Sequence, residues 1–184
     1  MKNINPKYSK ELSGNRIQPQ ICLIFDWGDT VMRDFIEFKG PMIQWPKVEA
    51  IPFIEENLQM LAPHYTLCLG SNAGDSNTSL MVDALKRLGL DVYFDYYFTS
   101  KDLGVEKPEP LFFQTIAREA GYEPSQCIVI GNDYLKDVSG GKNAGMKTVF
   151  LNSKMLEGSF PKADAIIHTL ENLDGVIGEL VKEL

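Results

Sequence analysis

Four aspartates, Asp26, Asp29, Asp133 and Asp137, together with Ser71, Asn72 and Lys107, are the residues of this chain whose types and spacing could do chemistry. Each lies beside a short apolar run. Asp26-Trp-Gly-Asp29-Thr30 follows ICLI-Phe25, Ser71-Asn72 closes TLCLG, Gly131-Asn132-Asp133 follows CIVI, and Lys107-Pro108 opens a segment with helical periodicity. If the runs are parallel strands, all these groups meet at one edge of a sheet, because ligands of open α/β sheets bind beyond the carboxyl ends of the strands. Carboxylate and carbonyl oxygens, without thiolate or imidazole, are the ligand set of a hard cation such as Mg2+, and carboxylates brought this close call for a cation in any case. Lys107 would then offset the charge of a bound phosphoryl group, while Ser71, Asn72 and backbone N–H groups hydrogen-bond its oxygens. The constellation suits phosphate chemistry.

The elements that must position these groups are legible in the alternation of short apolar runs with segments of helical period, the pattern of a parallel sheet with crossover helices. Strands are expected at about 21–27, 66–71, 96–99, 127–131, 147–151 and 165–168. Pro52 can open a helix through Leu61, Ser76 can cap one running to Leu88, and Pro108 with Pro110 opens another that ends near Gly121. Two further helices are expected at about 134–144 and 171–183. The stretch between the first strand and the first helix carries Gly40, Pro41 and Pro46 among aromatics and suits a hairpin or ordered loop. Residues 1–19 are polar and without periodicity, a flexible leader to one domain over 20–184.

At 184 residues, 44% hydrophobic and 23% charged, the chain suits a single globular domain. A net charge of -7 gives no basic field to draw in nucleic acid. The N-terminal segment lacks the apolar core of a signal peptide and no run of 18 apolar residues occurs, so the expected location is the cytoplasm, away from membranes. Cys22, Cys68 and Cys127 each fall within a strand-like run and read as reduced core residues rather than a disulfide or zinc framework. His64 and His168 have no carboxylate or cysteine partners nearby in sequence and read as surface or strand-end residues. Gly140, Gly141 and Gly145 follow the motif helix instead of opening it, which suits close packing and a helix stop rather than phosphate binding. Trp27, Phe35, Phe38 and Trp45 either line a substrate pocket or form the core of the loop, and Asp34, Glu37, Lys39 and Lys47 read as keeping that loop soluble.

The ordered motifs FDWGDT, SN, GVEKPEPLFF and IGNDYLKDV, spread over most of residues 21 to 137, resemble the four motifs of the haloacid dehalogenase superfamily. The resemblance implies a Rossmann-like three-layer α/β/α sandwich with a central, mostly parallel sheet. It implies that Asp26 is the nucleophile that forms an aspartyl-phosphate, with its carboxylate also on Mg2+. It further implies that the Gly28 carbonyl and Asp133 with Asp137 hold the metal, that Ser71 and Asn72 bind the phosphoryl group, and that Lys107 steadies nucleophile and phosphate. Two features depart from the common pattern. Gly28 stands where the superfamily usually has a second aspartate, the general acid and base, and Asp29 follows it, as a substitute acid and base, a second-tier partner or a turn residue. Asn132 stands where a metal carboxylate often does. The stretches after the first and second motifs are too short for a cap domain, so a short flap over an open site is expected, with a large substrate or a neighbouring subunit completing the pocket. The expected activity is phosphomonoester hydrolysis. The alternatives are a catalytically weakened phosphate- or Mg2+-binding module, and a dehalogenase or phosphonatase.

Overall fold

A computed structural model describes residues 19–184; the leader expected over 1–19 lies, apart from Pro19, outside the described residues. Six strands form one parallel sheet: β1 (Cys22–Phe25), β2 (Thr66–Ser71), β3 (Tyr96–Thr99), β4 (Cys127–Gly131), β5 (Lys147–Leu151) and β6 (Ala165–Ile167). Their order is β3-β2-β1-β4-β5-β6, all neighbours parallel. Side chains alternate across a strand, so β1 feeds two cores. Leu23 and Phe25 pack with α1 (Ile54–Leu61), α2 (Thr78–Lys86) and α6 (Leu173–Val181), while Cys22 and Ile24 pack with α4 (Pro110–Ala120) on the opposite face. This is the expected three-layer sandwich. It explains why β1, β2 and β4 are unbroken apolar runs, since strands covered on both faces have no polar side.

The three cysteines are free and buried, with Cys22 Sγ 3.4 Å from Cys68 Sγ. Gly140 and Gly141 are required by packing: a β-carbon on Gly140 would lie 2.7 Å from the Phe113 ring, and one on Gly141 2.7 Å from Val129.

Local chemistry shifts several element ends. Asn77, rather than Ser76, caps α2, its side-chain oxygen accepting from the Leu80 N–H at 3.0 Å; Asn is as good a cap as Ser, and Ser76 is buried instead. The helix expected over 134–144 is wound in wide π-type turns over Tyr134–Ser139 before α5 (Gly140–Asn143), because the Asp133 carbonyl accepts from both Asp137 N–H and Val138 N–H. A short helix, α3 (Ser100–Leu103), has no signal in the sequence pattern and starts directly after β3, where the Thr99 hydroxyl caps it at 3.4 Å from the Asp102 N–H.

Between β1 and α1 the chain makes the expected flap and no cap. Met32 pairs antiparallel with Ala50, Arg33 N–H donates to the Glu49 carbonyl, and Ile51 N–H donates to the Val31 carbonyl. Phe35, Phe38 and Trp45 cluster inside this loop, and Arg87 of the main domain holds it by donating to the carbonyls of Ile43 and Trp45.

Candidate active site

The strand order reverses at β1: β2 and β3 lie on one side, β4 to β6 on the other. The crevice this leaves at the carboxyl end of β1 is where such sheets bind ligands. Asp26 is the first residue beyond β1, and its backbone N–H is tied to the Ile130 carbonyl of β4 at 2.9 Å. The chain then coils tightly, with Val31 N–H and Met32 N–H both donating to the Trp27 carbonyl. That coil brings Thr30 Oγ1 to 3.2 Å from Asp26 Oδ2, with Asn132 Oδ1 at 3.5 Å from the same hydroxyl.

At the centre, Lys107 Nζ donates to Asp26 Oδ1 at 2.5 Å and to Asp137 Oδ1 at 2.7 Å. The second oxygen of Asp137 accepts the Asp133 N–H at 2.9 Å. Lys107 and Asp137 are buried, and Asp26 is the member of the triad that reaches the pocket. Burial would strip the Lys107 ammonium of its proton, but Asp137 and Asp26 outweigh it and raise its pKa, so it stays charged. Burial, and then the neighbouring charge of Asp26, push the Asp137 carboxyl up to about 6 against the opposing pull of Lys107. One cation between two carboxylates leaves the centre short of positive charge.

Three residues position the triad. Asn72 turns its amide to the Lys107 backbone, accepting from Lys107 N–H at 2.8 Å and donating to the Lys107 carbonyl at 2.9 Å. In the structure, therefore, Asn72 holds the lysine. Gly131 ends β4, and a β-carbon there would lie 2.3 Å from the Asp137 carboxyl, so only glycine lets Asp137 fold back over the strand end. Asp133 caps the π-type turns, its Oδ1 accepting from Leu135 N–H and Lys136 N–H at 3.0 and 2.9 Å, which leaves Oδ2 facing outward near Lys136.

Ser71, at the end of β2, is buried as a residue, yet its hydroxyl makes no hydrogen bond with the described residues and lines the pocket. The pocket has a volume of about 660 Å3 and runs from Asp26, Ser71 and Lys107 outward to the flap residues Asp34, Phe38 and Trp45. All the expected site residues line it. Asp29 has a left-handed backbone (φ 55°), its Oδ1 accepts the Asp34 N–H at 3.0 Å, and Oδ2 lies 3.5 Å from Lys154 Nζ. Asp34 and Lys39, read from sequence as solubilising, also face the pocket. Partial withdrawal from water on the pocket side, then the charges of Asp29 and Asp26, raise the pKa of the otherwise exposed Asp34. A carboxylate six positions after Gly28 gave no sequence signal, because only the flap's return path places it; Gly131, in contrast, was visible as a strand-end glycine beside an acidic motif.

The haloacid dehalogenase-like hydrolase family matches this chain over residues 2–151. The chain belongs to that family. Among curated proteins, this family member is 31% identical over 123 residues to a glyceraldehyde 3-phosphate phosphatase of Methanopyrus kandleri, covering 62% of this chain and 53% of that protein. It is 35% identical over 81 residues to the pyrimidine 5'-nucleotidase PynA of Streptococcus pneumoniae, covering 44% of this chain and 34% of that one. The chain thus spans about a third to a half of the length of the curated relatives it matches. Among solved structures, a phosphatase of this superfamily from Thermococcus onnurineus superposes with a TM-score of 0.62 at 30% identity, covering 71% of this chain and 59% of that one. An uncharacterised Listeria monocytogenes protein superposes with a TM-score of 0.78 over 89% of this chain and 99% of that one at 20% identity, a likeness of fold.

Proposed function

We propose that this haloacid dehalogenase-like chain is a Mg2+-dependent phosphatase that cleaves a phosphate monoester through an aspartyl-phosphate on Asp26. The observation that carries the reading is the buried Lys107 ammonium shared between Asp26 and Asp137, facing a pocket that also holds the open Ser71 hydroxyl. An aspartate held by a buried cation at a sheet's ligand crevice is oriented for attack, and the same cation can follow charge onto a phosphoryl group. The Ser71 hydroxyl has free hydrogen-bonding capacity for a phosphoryl oxygen, and Asn72 keeps Lys107 in register. Relatives named as phosphatases and nucleotidases support the same class.

A divalent cation fits the donor chemistry of this centre. The donors are oxygens, two carboxylates share one ammonium, and the Thr30 hydroxyl gathers Asp26 Oδ2 and Asn132 Oδ1 toward one point. No cluster of three or more acidic, histidine or cysteine side chains is preassembled for a metal among the described residues, so carbonyl or amide oxygens or waters would complete the shell. Asp26, the Gly28 carbonyl, Asp133 and Asp137 are the residues that would hold it, with Asn132 at the same edge. Bound there, Mg2+ supplies the positive charge that lets a carboxylate and a phosphate approach each other. The cytoplasm suits three unpaired thiols, and no helix among the described residues is long and apolar enough to cross a membrane. The open pocket suits an extended phosphorylated substrate or a second subunit that completes the wall.

The test is Mg2+-dependent phosphate release from 4-nitrophenyl phosphate and a panel of natural phosphomonoesters. Turnover abolished by Asp26→Asn and by EDTA is expected. Tight phosphoester binding with no Asp26-dependent release would give the site to a binding module instead.

A further inference from the structure

Gly28 is not held in a left-handed conformation, so its backbone does not demand glycine. Space does. A β-carbon on Gly28 would lie 3.5 Å from both Cβ and Oδ2 of Asp34, and 3.8 Å from its Cγ. One methyl could be tolerated, but a longer side chain at 28 would run into the Asp34 carboxyl. That carboxyl belongs to the flap, lines the same pocket as Asp26, and makes no hydrogen bond or ion pair with the described residues. Its backbone, in contrast, is fixed: Asp34 N–H donates to Asp29 Oδ1 at 3.0 Å, Arg33 on one side bonds to Glu49, and Phe35 on the other is buried in the aromatic cluster. A pocket-facing carboxylate with an anchored main chain and unengaged oxygens is free to meet a substrate group that enters the pocket, which is where a proton-transferring residue must stand.

We propose that Asp34, reaching into the space beside Gly28, is the proton-transferring residue of this site. The inference rests on the phosphatase reading above. In the first half-reaction an Asp26 oxygen forms a bond to phosphorus while the bond to the ester oxygen breaks, and the protonated Asp34 carboxyl gives its proton to that departing oxygen, releasing the alcohol. In the second, the Asp34 carboxylate takes a proton from water, whose oxygen bonds to phosphorus as the bond to Asp26 breaks. Inorganic phosphate leaves, Asp26 is again a carboxylate, and Asp34 is again protonated. Asp29 serves as a positioning residue, since one of its oxygens is committed to Asp34 N–H and the other faces Lys154.

The experiment compares kcat/KM for an alkyl phosphate, whose leaving group needs a proton, with that for 4-nitrophenyl phosphate, whose leaving group does not. Asp34→Asn is expected to slow the alkyl ester by ~10²–10⁴-fold while changing the aryl ester far less, with thermal unfolding unchanged. The double variant Gly28→Asp with Asp34→Gly moves the carboxyl to the other side of the same space, and is expected to recover alkyl turnover that Asp34→Gly alone loses. Equal slowing of both esters in Asp34→Asn, or no slowing of either, would overturn the proposal while leaving Asp26-dependent turnover intact. So would an alkyl-selective loss in Asp29→Asn but not in Asp34→Asn. Absence of any Asp26-dependent turnover in the unmodified chain would overturn the phosphatase reading, and this inference with it.

Discussion

The floor of the pocket and its wall are built on opposite principles. On the floor, Asp26, Lys107 and Asp137 interlock through short charge-assisted bonds, Lys107 and Asp137 are buried, and Asn72, Gly131 and the Asp133 N–H fix them from three directions. On the wall, Asp34 and Lys154 are exposed, Asp29 meets Lys154 at 3.5 Å, and the flap is held to the domain mainly by Arg87 and an apolar cluster. The floor must keep charges at fixed places before any substrate arrives, which needs burial and saturation. On the phosphatase reading proposed above, a wall that receives a leaving group needs to give. The contrast implies that substitutions in the floor cost stability and activity together, whereas those in the wall separate the two.

Lys107→Met gives the sharpest break. It leaves Asp26 and Asp137 facing each other without their counter-charge, and breaking a buried ion pair from one side costs about 3–5 kcal/mol. Activity should vanish, and urea unfolding should report a loss of that size near pH 8. The pH dependence has a definite sign. The Asp137 carboxyl is already raised to about 6 in the fold, so its favourable contribution is complete below its unfolded value and is lost as pH rises through the folded one. Removing Lys107 takes away the influence that lowers it, so the folded value rises further. The stability gap between variant and parent should therefore be smallest near pH 4 and widen toward pH 8; a gap independent of pH would show that the triad is not the coupled unit described.

Gly131→Ala attacks the same floor without touching a charge. Its new methyl would overlap the Asp137 carboxyl, so Asp137 must swing away from Lys107 and the Asp133 N–H. Overpacking of this kind costs roughly 1–3 kcal/mol, and a misplacement of about 1 Å near the chemistry costs on the order of 10²-fold in rate. The measurement is thermal unfolding beside kcat/KM on 4-nitrophenyl phosphate. Retention of full activity would mean that Asp137 does not need its present place.

This asymmetry also governs what could be read from the chain. The floor was legible because its residues end strands, and strands with two buried faces announce themselves as unbroken apolar runs; ICLIF, TLCLG and CIVIG put Asp26, Ser71 and Asp133 at one edge. The roles within that edge were less legible. Asn72, expected on the phosphate, grips the Lys107 backbone, because its reach depends on how the loop before α4 returns to the sheet. Asp34 was not legible at all: the flap has no regular period, and what places its carboxyl beside Gly28 is the pairing of Met32 with Ala50 and a bond to Asp29. Residues fixed by tertiary return paths leave no pattern along the sequence.

Arg87→Ala tests the wall's attachment. It removes donors to the Ile43 and Trp45 carbonyls, which hydrogen-bond strengths place at about 1 kcal/mol. Because Arg87 ties down the flap and not the strands, the loss should show as faster amide exchange confined to about residues 33–50 and a several-fold rise in KM, with kcat nearly unchanged on 4-nitrophenyl phosphate, whose leaving group needs no proton from Asp34. Protection lost across the sheet as well would mean that wall and floor are one cooperative unit.

The smallest effect is expected at Asp29, the residue that sequence alone made most suspect. Asn accepts the same hydrogen bond from Asp34 N–H and tolerates the left-handed backbone that Asp29 adopts at φ 55°. What Asp29→Asn removes is the charge facing Lys154, an exposed partner at 3.5 Å, and such pairs contribute about 0–1 kcal/mol. Unfolding should therefore shift by less than about 0.5 kcal/mol, and by less still in 0.5 M salt, where exposed charges are screened. Asp29→Val keeps neither the hydrogen bond nor an easy left-handed conformation, and should lose clearly more. If Asn and Val proved equally harmful, the charge of Asp29 rather than its turn geometry would be what the wall depends on, and the division between a saturated floor and an adjustable wall would have to be redrawn with Asp29 on the floor.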